Sequence, residues 1–508
     1  MKIIFGAQGG FLKIYYDVYN HISKNNSIIK HASFLTADSD YYFANRFEKV
    51  FSNRPDIDLI KEWELTSKKD IPLEEKRYTF LKRKYKDCNL WEAIACDRRL
   101  MYGGNAKFIQ NYNIRYTNEQ LINIIYHTLD KIDSLLECDE EMCVITPIPA
   151  CYYDYLLYFA ATVNNKKYLQ LKFTKVDNRI IYSHSFSGEC PEEINSSYNK
   201  YLKQPIPNNL EKNSIDYIAR AKEKKQIYEG VIVDNKSFSD FFIQLKSDIL
   251  GGVIKKYLLP NLFTRLKDPH VPPFYSDFIS KYFIKPFRKI RIKFITRKRM
   301  INIDDLQKSQ IYFYPMHSEP EIAISVHGKE WQNQIELIRK ISQSIPLGSK
   351  LIIKEHPKSV GYRSLSYYNS LLQIPNLFFI DAQTSTKEVI INSRLVFVLS
   401  GFVGFEAIIL EKPVIAFGDI MYSCLPDSMI KKCTDTSRLS ELVKSMEENY
   451  QYSQDSFKSY IAAVYENTEG INFYSSLLGK KGRHSVGSDN SYEKHIKLLS
   501  NFIYSKLR

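Results

Sequence analysis

The sequence predicts an α/β protein made of two Rossmann-like domains facing a cleft, with a helical, basic middle segment and a C-terminal helix. Three observations carry this. At 508 residues the chain exceeds what one hydrophobic core serves. Short β-branched runs alternate with stretches of helical period in two separate blocks. Within Lys350 to Gly418, each apolar run ends in small or polar residues, and one leads straight into a helical pattern. That is how an open parallel sheet presents a ligand site at the carboxyl ends of its strands.

The first block covers residues 1–205. Lys2 to Phe5 reads as a strand ending in Gly6-Ala7-Gln8-Gly9-Gly10, and Phe11 to Ile22 as a helix. Glycines after a first strand suit close approach of a ligand to the backbone, so Gly9 and Gly10 are candidate donor contacts. Ala32 to Thr36 is a second strand, Leu90 to Leu100 and Asn118 to Leu136 are helices, and Met142 to Ile148 is a strand. Helix Tyr152 to Thr162 and strand Lys167 to Phe173 follow, the latter leaving through the polar exit Thr174 to Arg179.

Residues 206–305 lose this alternation and read as helical inter-domain material, including a charged stretch from Ile218 to Gln226 and the proline-bearing run Asp268 to Pro273. Order returns over residues 306–480. The expected elements are strand Gln310–Pro315, helix Gln332–Ser344, strand Lys350–Lys354, helix Ser366–Gln373, strand Leu377–Ile380, strand Leu395–Leu399, helix Phe405–Leu410 and strand Val414–Phe417. In residues 481–508, a polar loop from Gly479 to Ser491 precedes an amphipathic helix, Tyr492 to Leu507. Two such domains across a cleft form the GT-B arrangement.

A formal net charge of +14 calls for an anionic partner. Nine Lys and Arg lie between Lys281 and Met300 with no acidic residue, interleaved with aromatic and aliphatic side chains. The segment 281–299 reads either as a basic amphipathic helix for an anionic inner-membrane surface or as a linker packed between domains. Nucleic acid is a weaker third reading, since no recognition motif accompanies the patch, and no nucleic-acid partner is expected. The eight cysteines show neither C-x-x-C nor zinc spacing, which predicts free thiols. Met1 to Gly6 is too short for a signal peptide and no apolar run reaches spanning length, so a cytoplasmic protein, peripheral on the inner face of the cytoplasmic membrane, is expected.

Candidate chemistry collects at strand exits. His356, fixed by Pro357 and flanked by Lys354, suits a phosphate contact or general acid. Ser400 and Gly401 at a strand-to-helix junction offer a hydroxyl and backbone N–H groups to an anion. Glu406 is placed either to accept from ribose hydroxyls or to sit on a helix surface. Of His317, Glu319 and Glu321, one is expected to reach the cleft, with Glu321 a candidate base. In the first block, Asp97 reads as a base or nucleophile or as part of a structural Asp–Arg network. Arg98, Arg99 and Lys175 are candidate clamps for a carboxylate or phosphate. No Walker loop, hydrolase elbow or Cys/His metal cluster is present, and no metal and no cofactor are expected.

Together these segments resemble the bacterial capsule polysaccharide biosynthesis family, which includes Kdo transferases using CMP-Kdo. The likeness rests on Tyr314-Pro315 through Pro320-Glu321, Lys354-Glu355-His356-Pro357, Gly404-Phe405-Glu406-Ala407 and Lys412-Pro413-Val414 with Phe417-Gly418. In the first block it rests on Leu90-Trp91-Glu92-Ala93, Asp97 to Leu100, and Thr174 to Asn178. The resemblance implies a metal-independent glycosyltransferase taking a nucleotide sugar, CMP-linked by preference, and a glycan or glycolipid acceptor. His356 would lie at the donor phosphate, supported by Ser400 and Gly401. A single Ser400 followed by Gly401 stands where some relatives carry a hydroxyl pair. A sugar-nucleotide epimerase of the same architecture and a non-catalytic membrane-associated scaffold are the alternatives.

Overall fold

The computed structural model describes residues 1–25, 29–103, 112–137, 141–223, 268, 270, 278–307, 309–319, 321, 323–357, 359–480 and 491–507. Lys358, Pro320, Cys138, most of Asp268–Pro273, the end of the charged stretch toward Gln226 and most of the Gly479–Ser491 loop lie outside them.

The N-terminal domain holds a sheet of β1 (Lys2–Gly6), β2 (His31–Thr36), β3 (Ile57–Lys61), β4 (Met142–Thr146), β5 (Lys167–Phe173) and β6 (Arg179–Ser183). Strands β3-β2-β1-β4-β5 run parallel, and β6 returns antiparallel to β5. The C-terminal sheet has β7 (Ile311–Pro315), β8 (Lys350–Lys354), β9 (Leu377–Ile380), β10 (Leu395–Val398), β11 (Val414–Ala416) and β12 (Ile430–Lys432). Its order, β12-β11-β10-β7-β8-β9, is parallel throughout. Both are doubly wound sheets with a switch in strand order, at β1/β4 and at β7/β10, and the molecule has the GT-B arrangement. Their strands are apolar on both faces because helices cover both faces; Tyr312, Phe313, Val396 and Phe397 are fully buried.

Packing does not follow the linear boundaries. Helices Glu192–Tyr201 and Asn208–Lys222 bury Tyr198, Tyr217 and Ile218 in the same core as β7, β10 and helix Gln454–Asn467. After that helix the chain returns to the first domain: β13 (Glu469–Gly470) pairs antiparallel with β6. Helix Tyr492–Leu507 then packs Ile496, Leu499 and Ile503 beside Ile3 and Leu12.

Three local readings change. The expected helix Leu90–Leu100 is two helices, Leu90–Cys96 and Arg98–Tyr102, because Asp97 is extended and its side chain accepts from the Arg99 N–H, capping the second. Strand β3 was not expected; its Ile-Asp-Leu-Ile-Lys pattern mixes charge into the run. The polar exit Thr174–Arg179 is the hairpin turn between β5 and β6, with Lys175, Asp177 and Asn178 at left-handed φ of 64°, 43° and 55°. Asn and Asp tolerate that conformation better than most residues.

Candidate functional site

The switch in strand order explains how distant segments meet. β7 and β10 are neighbours from which the sheet grows in opposite directions, so their carboxyl ends open a crevice. The loop after β7 brings His317, the loop after β10 brings Ser400 and Gly401, and β8 delivers His356 and Pro357 alongside.

His317 is gripped by its backbone. Its N–H donates to Gln334 Oε1 at 2.9 Å, and its carbonyl accepts from Gln334 Nε2 at 3.0 Å and from Arg363 Nη2. Arg363 is buried, with Nη1 on Glu355 Oε1 at 2.6 Å and Nη2 3.8 Å from Glu319. Tyr368 and Tyr367 donate to the same two carboxylates, at 2.6 and 3.0 Å. This network fixes the loop before any ligand arrives.

The His317 ring bonds the backbone carbonyl of Ser400, while its buried Nε2 has no hydrogen-bond partner. The nitrogen facing a carbonyl must carry hydrogen, so in the neutral ring the unpartnered Nε2 holds a bare lone pair. Burial lowers the pKa to about 4, against the opposing pull of the Ser400 carbonyl, with Arg363, His327 and His356 adding to the depression. His317 is therefore neutral at pH 7.

Beside it, Gly401 has φ 89° and ψ −164° just before helix Phe402–Ile409, a conformation that excludes side-chain-bearing residues. Adding a Cβ there would put it 3.4 Å from His317 Cε1, so backbone conformation rather than space demands glycine. The first N–H groups of the helix follow directly. The Ser400 hydroxyl donates to the Ala323 carbonyl at 3.3 Å, so the backbone of this turn is its freer face. His356 is exposed at the lip and Pro357 half-buried.

Lys354 and Glu406 form the floor. Both are desolvated: burial lowers the Lys354 pKa and pushes Glu406 up to about 7, while the attraction between them opposes both shifts and Lys387 adds to it on Glu406. Across the cleft, burial raises the Glu321 pKa, opposed by a Ser318 backbone hydrogen bond and by Arg363, Lys175 and Arg98. Arg98 and Lys175 come from the N-terminal domain, so Glu321 stands where the two domains face each other, keeping one side open to solvent.

Asp97 and Arg99 lie deeper. Arg99 donates through Nε and Nη2 to Asp97 at 3.2 and 2.8 Å, and the Tyr152 N–H reaches Asp97 at 3.3 Å. Despite burial, the Arg99 charge holds Asp97 down at about 2. Both atoms of its carboxylate are thus engaged within the domain. Gly9, at φ +54°, faces Asp38, and a Cβ on Gly10 would come 2.7 Å from Leu478, so the returning C-terminal segment fills the close approach there.

Sequence reasoning did not find Arg363, Gln334 or His327. Arg363 sits in a loop without periodicity, and its role depends on where Glu319 and Glu355 fold. His327 abuts Gly188, where any Cβ would overlap its ring, and burial lowers its pKa to about 4. Nearby, Asp419 accepts from the Gly188 N–H at 3.1 Å and Lys432 bridges Asp419 and Glu189 at 2.8 and 2.7 Å, tying the domains together on that side of the cleft.

Residues 264–426, which hold His317, Glu321, Lys354, His356, Ser400, Gly401 and Glu406, match the model of the family described as capsule polysaccharide biosynthesis protein. A sequence search of curated proteins finds no match. Among solved structures the chain is similar to the Thermosulfurimonas dismutans KpsC beta Kdo 2,7 transferase, with 12% identity, 73% of this chain and 89% of that chain covered, and a TM-score of 0.34. The beta Kdo 2,4 transferase of the same KpsC gives 11%, 64%, 79% and 0.33. A UDP-GlcNAc 2-epimerase from Neisseria meningitidis bound to UDP-GlcNAc gives 12%, 92%, 98% and 0.23. At these TM-scores the likeness bears on neither donor nor acceptor. Among the described residues, no group of three or more His, Cys, Asp or Glu is placed to hold a metal ion.

Proposed function

We propose that the protein is a glycosyltransferase of capsule or other surface polysaccharide assembly, moving a sugar from a nucleotide donor to a glycan or glycolipid acceptor. CMP-Kdo is the favoured donor. The observation that carries this reading is the turn at Ser400–Gly401: a helix start, an unpartnered buried His317 Nε2 and an exposed His356 converge at the switch point of a parallel sheet.

In this reading the donor phosphate lies over the Ser400–Gly401 backbone, where helix N–H groups and His356 offset the charge that builds up as the sugar–phosphate bond breaks. Lys354 and Glu406 line the nucleotide side, with Pro357 shaping the loop. Glu321 takes the proton of the attacking hydroxyl, its raised pKa making it a better base than an ordinary glutamate. Arg98 and Lys175 hold the carboxylate of an acidic sugar. Asp97 and Arg99 act through position, by fixing Arg98 at the start of its helix. The positive charge needed comes from these groups, so the proposal invokes no metal ion. The protein works on the inner face of the cytoplasmic membrane, held there peripherally; no described helix is long and apolar enough to cross a membrane.

A thermal-shift screen against CMP, UDP, GDP and their sugars tests the donor: a ligand at a hundred times its Kd adds about 2.7 kcal/mol to the folded state. Stabilisation by CMP and its sugars, and transfer to a glycan lost in His356→Ala, is expected. Release of an epimerised UDP-sugar without acceptor would replace the reading with an epimerase. Binding of no nucleotide at all would leave the scaffold.

A further inference from the structure

The chain is helical throughout Ser280 to Arg299, and that helix has two unlike faces. The inner face buries Tyr282, Ile292 and Thr296 and lies on the loop before helix Leu365–Leu372. There Arg288 Nη1 donates to the Tyr362 carbonyl, and Lys285 Nζ sits 3.8 Å above the Tyr362 ring. The outer face carries Ile279, Phe283, Phe287, Ile290 and Phe294, exposed by 39, 62, 60, 72 and 61%. At roughly 100° per residue these five fall within about 80° of arc, a continuous apolar stripe turned away from the core. Basic residues border it. Arg297 lies 4.5 Å over the Phe294 ring and Arg291 6.0 Å over Phe287, so charged heads run beside the rings.

A stripe of large apolar side chains on a surface helix signals a partner, and the charge selects which. Nine basic residues and no acidic one between Lys281 and Met300 repel a second copy of the same face, since each copy would bring the same charges. They complement an anionic bilayer, where phenylalanine and isoleucine enter the acyl boundary and lysine and arginine stay among the headgroups.

We propose that this helix is an in-plane membrane anchor, whose apolar stripe inserts into an anionic bilayer surface while its basic borders pair with lipid phosphates. The proposal rests on the reading of a surface-polysaccharide transferase for its biological sense, and extends it. The buried face of the anchor holds Tyr362, the neighbour of Arg363, which grips the His317 loop and Glu355. Docking therefore fixes the donor site a loop's breadth from the bilayer, where an acceptor carried on a lipid is presented.

The test is co-sedimentation of the full chain with phosphatidylcholine vesicles, alone or with 30% phosphatidylglycerol, in 0.1 and 0.5 M NaCl. The protein is expected on the anionic vesicles and not the neutral ones. The triple variant F287S/I290S/F294S is expected to bind on the order of a hundredfold more weakly, and to keep its melting temperature, because all three side chains already face solvent. The variant K289Q/R291Q/K293Q/R297Q should lose about fivefold per charge removed and most of its salt dependence. Equal binding to both vesicle types, or a serine variant that binds like the wild type, would overturn insertion. So would a lipid-free dimer that becomes a monomer in the serine variant, since the stripe would then be a self-interface. The nucleotide thermal shift is read without vesicles, so failure of the anchor and failure of the transferase reading are separable.

Discussion

His317 gives a stability prediction whose sign and size follow from its surroundings. Burial lowers its pKa to about 4 from an ordinary 6.5. Between those values the unfolded chain binds a proton that the folded chain refuses, so stability falls as pH drops below 6.5 and the loss is complete below 4. The full difference is worth ~3.4 kcal/mol at about 1.36 kcal/mol per pKa unit. At pH 5 the unfolded ring is almost wholly protonated and the folded one about a tenth protonated, so the cost reached there is ~2 kcal/mol. Replacing His317 with Asn removes this term and loses some packing at every pH. The packing loss cancels when the variant is compared with wild type at two pH values. The expectation is that His317→Asn is more destabilising at pH 8 than at pH 5 by ~2 kcal/mol. His327, also lowered to about 4, titrates in both proteins and drops out. Urea unfolding of the C-terminal domain, at an m-value of about 2–3 kcal/mol per molar, should show the gap between midpoints shrinking by roughly 0.7–1 M. A gap of equal size at both pH values would refute a buried, neutral His317.

Three further outcomes are expected. His356→Ala should leave the melting temperature in place, since the side chain is exposed, while transfer drops by about 10²–10⁴-fold in kcat/KM; near-normal turnover would remove His356 from the chemistry. Glu321→Gln should keep the nucleotide-induced thermal shift but lose turnover. Because a base must be ionised to act, wild-type activity should fall with decreasing pH through a pKa above the usual 4.5, a limb absent if Glu321 is not the base. Arg363→Ala leaves Glu355 and Glu319 facing each other without their cation, which should cost about 3–5 kcal/mol, seen as a lower unfolding midpoint; a change below about 1 kcal/mol would mean the network is slack.

Periodicity was enough to read elements whose pattern is uninterrupted. Asn118–Leu136, Lys167–Phe173, Lys350–Lys354, Leu377–Ile380 and Tyr492–Leu507 have the bounds expected from the sequence. Where a polar side chain serves the backbone, periodicity misled: Asp97 sits inside an apolar-periodic run yet ends one helix and starts the next. β6 hid behind a turn in which Lys175, Asp177 and Asn178 all take left-handed conformations, which no alternation of apolar residues announces. The site was half legible. Strand exits pointed to Ser400, Gly401 and His356, and to a group of three that included His317. That His317 meets Ser400 depends on β7 and β10 being neighbours, a fact of strand order that one sequence does not carry. Gly10 shows the converse limit. A glycine loop after a first strand invites a ligand, but Leu478, from the far end of the chain, fills the approach.

The site also explains a tension in the composition. A net charge of +14 and a proposed phosphate site lead one to expect full positive charges around Ser400. Instead burial opposes the charge of three groups at this end of the sheet: His317 is lowered to about 4, Glu406 raised to about 7 and Lys354 lowered. Fully charged lysines and histidines packed this closely without a ligand would repel one another and lose their hydration. Backbone N–H groups at the Phe402 helix carry no such cost, since their partial charges are fixed by the fold. His317 is thus neutral at this turn, and the fixed partial charges of the backbone stand beside it. In the proposed reading, an incoming phosphate adds negative potential that favours the protonated form of His317 and offsets the burial that lowers Lys354. The strong permanent charges stand elsewhere: Arg363 locked to two carboxylates behind the His317 loop, Arg98 and Lys175 across the cleft, and the basic helix at the surface. Those positions meet solvent or a fixed counterion, which is where permanent charge is least expensive to keep.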